Sequence, residues 1–190
     1  MTTTTPIPND LAASGHADAA PSSAERADLL ALLAAGRHFL RFTTRGLTDE
    51  QAARRTTVSE LCLGGLIKHV ASVERGWANF IVDGTSAMPD FSAMTEQDFA
   101  RRADEFRMLP GETLDDVLAA YAEVARRTDE VVASLPDLEA AHPLPKAPWF
   151  PAGAEWSARY VILHIISETR QHAGHADIIR EALDGAKSMG

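Results

Sequence analysis

Apolar side chains return every three or four positions along four long stretches of this chain, the period of a helix buried on one side. The first stretch runs from about Ala24 to Arg45, with Leu29, Leu32, Leu33, Phe39, Leu40 and Phe42 on its apolar face. Gly46 is expected to end it, because glycine accepts the left-handed cap conformation. The segment from Leu47 to Arg54 opens with a capping residue and predicts a short helical turn. A second helix is expected from about Ser59 to Val82, carrying Leu63, Leu66, Ile67, Val70, Val73, Trp77, Phe80 and Ile81, with Gly84 beyond it. A third opens at Thr113, where Asp115 and Asp116 supply acid to the first turn, and stops before Pro136. The fourth runs from about Ser157 to Leu183 and stops at Gly185. No internal repeat and no useful strand-like alternation interrupts this pattern. The expectation is an all-α domain of four main helices.

The connections differ in character. Thr85 to Glu112 holds Pro89, Pro110 and many acidic residues, and reads as irregular. It is long for a bundle connection, and such a length suits a crossover between parallel neighbouring helices. A second irregular stretch holds Pro136, Pro143, Pro145, Pro148 and Pro151, a density that forbids a regular helix. Trp149 and Trp156 are expected to pin it to the bundle, and residues 143–151 are candidates to line or cover a pocket. Residues 1–22, rich in Thr, Ala, Pro and Ser, read as a mobile tail containing His16, and residues 23–190 as one domain.

Composition narrows the classes of function. A net charge of −9 and scattered basic residues argue against nucleic acid and against an anionic membrane surface as partners. The apolar run Tyr160–Ile166 is interrupted by His164 and falls short of the roughly 18 residues that span a bilayer. Nothing at the start resembles a signal peptide. The lone Cys62 excludes an intrachain disulfide and agrees with a reducing cytoplasm.

The chemistry concentrates in the fourth helix. His164, Glu168, His172 and His175 are separated by four, four and three residues, so they stack along one face. Val161, Ile165 and Ile179 border that stripe and turn it inward. An unpaired buried carboxylate is costly, and a divalent cation is one compensating partner. Glu and His four apart can hold one ion from a single helix. A third ligand must come from elsewhere, and His69 is the only histidine of the second helix. Cys62, Gly65, Ser72 and Gly76 share its face, and small residues there leave room for a cavity.

Ordinary readings stand beside these. A lone inward histidine such as His69 is more often a hydrogen-bonded core residue. Glu168 with Arg170 or Arg180 would make a plain salt bridge. His38 reads as structural or solvated, and Cys62 as a small buried hydrophobe rather than a nucleophile. The stripe as a whole is the stronger signal, because four polar groups on one inward face are hard to satisfy without an ion.

These residues also resemble a known family. Residues 47–52, then Gly65-Leu-Ile-Lys-His69-Val with Glu74-Arg-Gly-Trp77, then residues 113–118, and above all residues 168–181 are similar to the DinB superfamily, closest to the actinobacterial DUF664-type branch. The similarity covers about residues 25–186. It implies a four-helix bundle with a long crossover connection, usually a homodimer. It also implies a divalent metal held by His69, Glu168 and His172. Many members have His at the middle position, whereas Glu stands there in the mycothiol-dependent maleylpyruvate isomerase branch. His175 departs from the Gln or Asp common three residues beyond the last ligand. As a candidate catalytic residue it reads as a general base, an orienting group or an added ligand.

Relatives with assigned activity are thiol S-transferases and thiol-dependent isomerases. The leading expectation is therefore an enzyme in which a metal activates a low-molecular-weight thiol, mycothiol or similar, to attack a small electrophile. Zinc needs no redox chemistry and suits this role; iron(II) or nickel(II) would suit the same ligands. Alternatives are a thiol-dependent isomerase, a metal-dependent hydrolase, an iron-dependent oxidase, and a non-catalytic metal- or ligand-binding bundle.

Overall fold

Four amphipathic helices bury their apolar faces against one another in the computed structural model, which describes residues 23–188. The expected tail with His16 lies outside the described residues. The long helices are α1 (Ser23–Phe42), α3 (Leu63–Asp83), α5 (Leu114–Ser134) and α6 (Ala158–Asp184). Two shorter ones, α2 (Asp49–Ala53) and α4 (Glu96–Asp104), lie in the connections. The turn that follows α1 closes at Gly46 (φ +68°), and α6 is capped by Gly185 (φ +77°), as the sequence predicts.

Shared contacts fix the direction of each helix. Arg159 of α6 pairs with Glu25 of α1, while Arg180 of α6 donates to the carbonyls of Thr43 and Arg45 beyond the other end of α1. Those two helices therefore run parallel. Trp77 and His69 of α3 meet His164 and His172 of α6 in that order, so α3 and α6 are antiparallel. Arg26 near the start of α1 donates to the carbonyls of Val132 and Leu135 at the end of α5, so α1 and α5 are antiparallel too. Two helices that each oppose one of a parallel pair are themselves parallel, and α3 and α5 pack side by side. The 30 residues between Asp83 and Leu114 are accordingly the crossover that parallel neighbours require. The fold is all-α in the DinB manner.

The core divides along the bundle axis. One apolar cluster gathers Leu33, Phe80, Val132, Ile162 and Ile165; the other gathers Leu40, Leu66, Val70, Tyr121 and Ile179. Between them lies a polar layer, in which Arg37 of α1 pairs with the fully buried Glu74 of α3 and also reaches Asp129 of α5 at 2.8 Å.

The structure corrects the sequence expectation in three places. Helix α3 begins at Leu63 rather than near Ser59, because Cys62 is its N-cap and accepts a hydrogen bond from the Gly65 amide. The stretch 85–112 is not wholly irregular: α4 forms behind a Thr95/Asp98 capping box. The proline-rich stretch holds a two-stranded antiparallel ribbon, β1 (Ala141–Pro143) with β2 (Glu155–Ser157).

Candidate metal centre

Helix α6 starts cleanly because Ser157 accepts a hydrogen bond from the Tyr160 amide. Two turns in, the helix presents His164, Glu168, His172 and His175, all half-buried, along the border of its buried Val161, Ile165 and Ile179 face. One helical turn brings His172 Nε2 to 3.7 Å from Glu168 Oε2. The His172 imidazole holds Glu168 below the usual carboxylate range; burial pushes the other way, and His164 and His69 add to the lowering.

The opposing helix supplies His69, which is buried. Its ring meets that of His172 edge-on at 4.9 Å. His69, Glu168 and His172 each present one donor atom such that all three lie within 4.8 Å of one another. Two imidazoles and a carboxylate from two antiparallel helices form a donor set of the kind that holds zinc or iron(II).

The crossover closes one side of this site. Phe106 stacks on the His69 ring at 4.0 Å and 25°. Glu105, which ends α4, places Oε2 3.6 Å from His69 Nδ1 and accepts a 2.7 Å hydrogen bond from Ser72 on Oε1. Burial pushes the Glu105 carboxyl up, but His69 and Ser72 outweigh it and hold it below its ordinary range. Lys68 fixes the segment by donating to the carbonyls of Asp104 and Arg107 and to the Glu112 carboxylate.

A cleft of about 970 Å³ opens from His69 and Glu168. Ser72 and Gly76 line it, as expected for small residues on the His69 face, but the other two members of that set serve differently. Gly65 admits the Phe106 backbone, and the Cys62 thiol points at the Phe106 carbonyl, 3.7 Å away. The far wall is aromatic. Trp77 and Trp156 stack at 4.8 Å and 26°, and both flank the His164 ring at 5.0 Å. Burial among these rings pushes the His164 pKa down, against an upward pull from Glu168. Phe150 and Trp149 continue the wall to Phe91 of the crossover. Trp156 thus pins the proline-rich stretch, whereas Trp149 remains 57% exposed over the cleft.

His175 sits outside that cleft wall, with Nδ1 3.4 Å from His172 Nδ1. Arg180, a suggested partner of Glu168, is instead engaged by Asp184 and the carbonyls of Thr43 and Arg45. His38 is exposed and meets the rings of Phe39 and Phe42. Sequence reasoning missed Glu105 and Phe106. The capping box at Thr95 was the one signal that a helix delivers them.

No curated protein matches the chain. The family model for mycothiol S-transferases matches residues 28–185, which takes in α3, α5, α6, most of α1 and all three converging donors. The chain therefore belongs to the mycothiol S-transferase family, a DUF664-type branch of the DinB superfamily.

Proposed function

We propose that this protein is a divalent-metal-dependent S-transferase that joins a low-molecular-weight thiol, mycothiol in the first instance, to a small electrophile. The observation that carries the reading is the convergence of His69, Glu168 and His172, of which His69 and Glu168 line the cleft. Zinc is the proposed ion. A cation on these three side chains lowers the pKa of a thiol beside it, so that the reactive thiolate forms near neutral pH.

The protein supplies the rest. Glu168 contributes the negative charge that balances the ion, held ionised by His172. The aromatic wall of Trp77, Trp156 and Phe150 gives the electrophile an apolar bed and sheds water from it. His175 is assigned to orienting His172, whose Nδ1 it faces at 3.4 Å, rather than to taking a proton from substrate. In the transfer a carbon–sulfur bond forms, the electrophile's leaving group departs with its electron pair, and the thiol proton passes to solvent. The expected setting is the cytoplasm, where such thiols stay reduced.

The test is metal content by mass spectrometry on tag-free protein, together with conjugation of mycothiol to a bromobimane. Near-stoichiometric zinc and thiol conjugation should both be lost in His69→Ala, Glu168→Ala and His172→Ala. Iron or nickel in place of zinc would change the ion and keep the site. Failure to take up any metal after reconstitution would overturn the reading.

A further inference from the structure

We propose that Glu105 is a positioning residue for His69, delivered by the crossover and clamped by Ser72, and that it selects the imidazole nitrogen that His69 offers to the metal. The inference rests on the metal-binding reading above and extends it to side chains outside the donor set.

The observation behind it is an orphaned atom. His69 Nδ1 is buried and has no hydrogen-bond partner within normal distance. An unmade bond at a buried nitrogen costs about 1–3 kcal/mol. The nearest carboxylate oxygen, Glu105 Oε2, is 3.6 Å away, so a shift of a few tenths of an ångström makes the bond. Ser72 lies one turn beyond His69 on α3 and holds the other carboxylate oxygen at 2.7 Å. Phe106, the next residue, stacks on the ring and limits its rotation. An imidazole that ligates a metal through one nitrogen donates its other N–H to a carboxylate, carbonyl or water in nearly every known site. With Nδ1–H directed at Glu105, Nε2 carries the lone pair that a cation needs. His172 has the matching arrangement, with His175 at its Nδ1 and Glu168 at its Nε2. Each histidine of the site thus has its own orienting partner, one from the crossover and one from α6.

The experiment compares Glu105→Ala, Glu105→Gln and Ser72→Ala with the wild type. Zinc affinity is measured by competition with a chromophoric chelator, and the His69 tautomer by ¹⁵N NMR of the metal-free protein. Glu105→Ala should lower zinc affinity about 10–100-fold. It should also abolish the Nδ1–H preference of His69, a readout that a merely structural role would not move. Glu105→Gln, which retains an acceptor, should restore the tautomer and part of the affinity; Ser72→Ala should give a smaller loss. Unchanged affinity and tautomer in Glu105→Ala would overturn the proposal while leaving the metal site standing. Failure of the wild type to bind zinc would overturn the metal reading, and a tautomer indifferent to Glu105 would then overturn the positioning role separately.

Discussion

Gly65 of α3 lies so close to Phe106 of the crossover that a β-carbon at Gly65 would overlap the Phe106 carbonyl and come 2.7 Å from the Arg107 nitrogen. This contact seats Glu105 and Phe106 on His69. The obstacle to a side chain is backbone, which cannot swing aside as a flexible side chain would. Gly65→Ala is expected to push the crossover off α3, costing about 1–3 kcal/mol as other overpacked sites do. Zinc affinity should fall with it, because the loosened segment carries Glu105. Chemical denaturation and metal titration of the one variant check both effects; a stable protein with undiminished zinc binding would show that the close approach is incidental.

The Arg37–Glu74 pair crosses from α1 to α3 in the middle of the bundle, with Glu74 fully buried. Burial lowers the Arg37 pKa, but Glu74 and Asp129 more than offset it and hold the guanidinium charged. Removing Arg37 strands the buried Glu74, whereas removing Glu74 leaves Arg37 paired with Asp129, so Arg37→Met should cost about 3–5 kcal/mol in urea unfolding. Replacing both, as Arg37→Met with Glu74→Leu, should recover most of that loss, since a well-packed apolar pair is often as stable as a buried ionic one. Asp129 is 46% exposed and remains solvated in that variant. A double variant no better than Arg37→Met would show that the layer does more than pair charges.

The long helices were legible because each buries a continuous apolar face, and that period is written locally in the chain. The stripe His164–Glu168–His172–His175 was legible for the same reason, as was the place of His69 once a third donor was sought. What escaped depends on contacts between segments distant in sequence. Helix α4 buries no residue and leaves Phe99 59% exposed, so it has little hydrophobic period to read. Cys62 is an unusual N-cap, so the helix start at Leu63 carried no ordinary capping signal. Arg37 and Glu74 look like surface charges of amphipathic helices until the helices are placed. Glu105 is 36 positions from His69, and no spacing rule joins them.

His164 predicts a pH dependence. Burial among aromatic rings lowers its pKa from the ordinary value of 6.5, so the folded protein holds it neutral where the unfolded chain already binds a proton. Its contribution to stability is therefore complete above pH 6.5 and is lost as pH falls through the folded value. Thermal melts of metal-stripped protein from pH 7.5 to 4.5 should show this as a decline below pH 6.5. His164→Phe, which keeps a ring against Trp77 and Trp156, should flatten that part of the profile. Identical profiles for the two proteins would mean that His164 does not titrate differently on folding.

Trp149 separates binding from folding. It is 57% exposed, meets Phe91 and Phe150 at 5.1 and 6.0 Å, and contributes one face of the cleft. Little core depends on it, so Trp149→Ala should leave unfolding free energy and zinc content unchanged. An aromatic contact with a flat electrophile is worth about 0.5–1.5 kcal/mol beyond area burial, which corresponds to roughly 2- to 13-fold in affinity. KM for an aromatic electrophile should rise by that order, with kcat and the KM for the thiol nearly constant, because His69, Glu168 and His172 are untouched. Steady-state kinetics with an aromatic and a small aliphatic electrophile make the comparison internal. Equal losses on both, or a loss expressed in kcat, would place the electrophile away from the Trp149 wall.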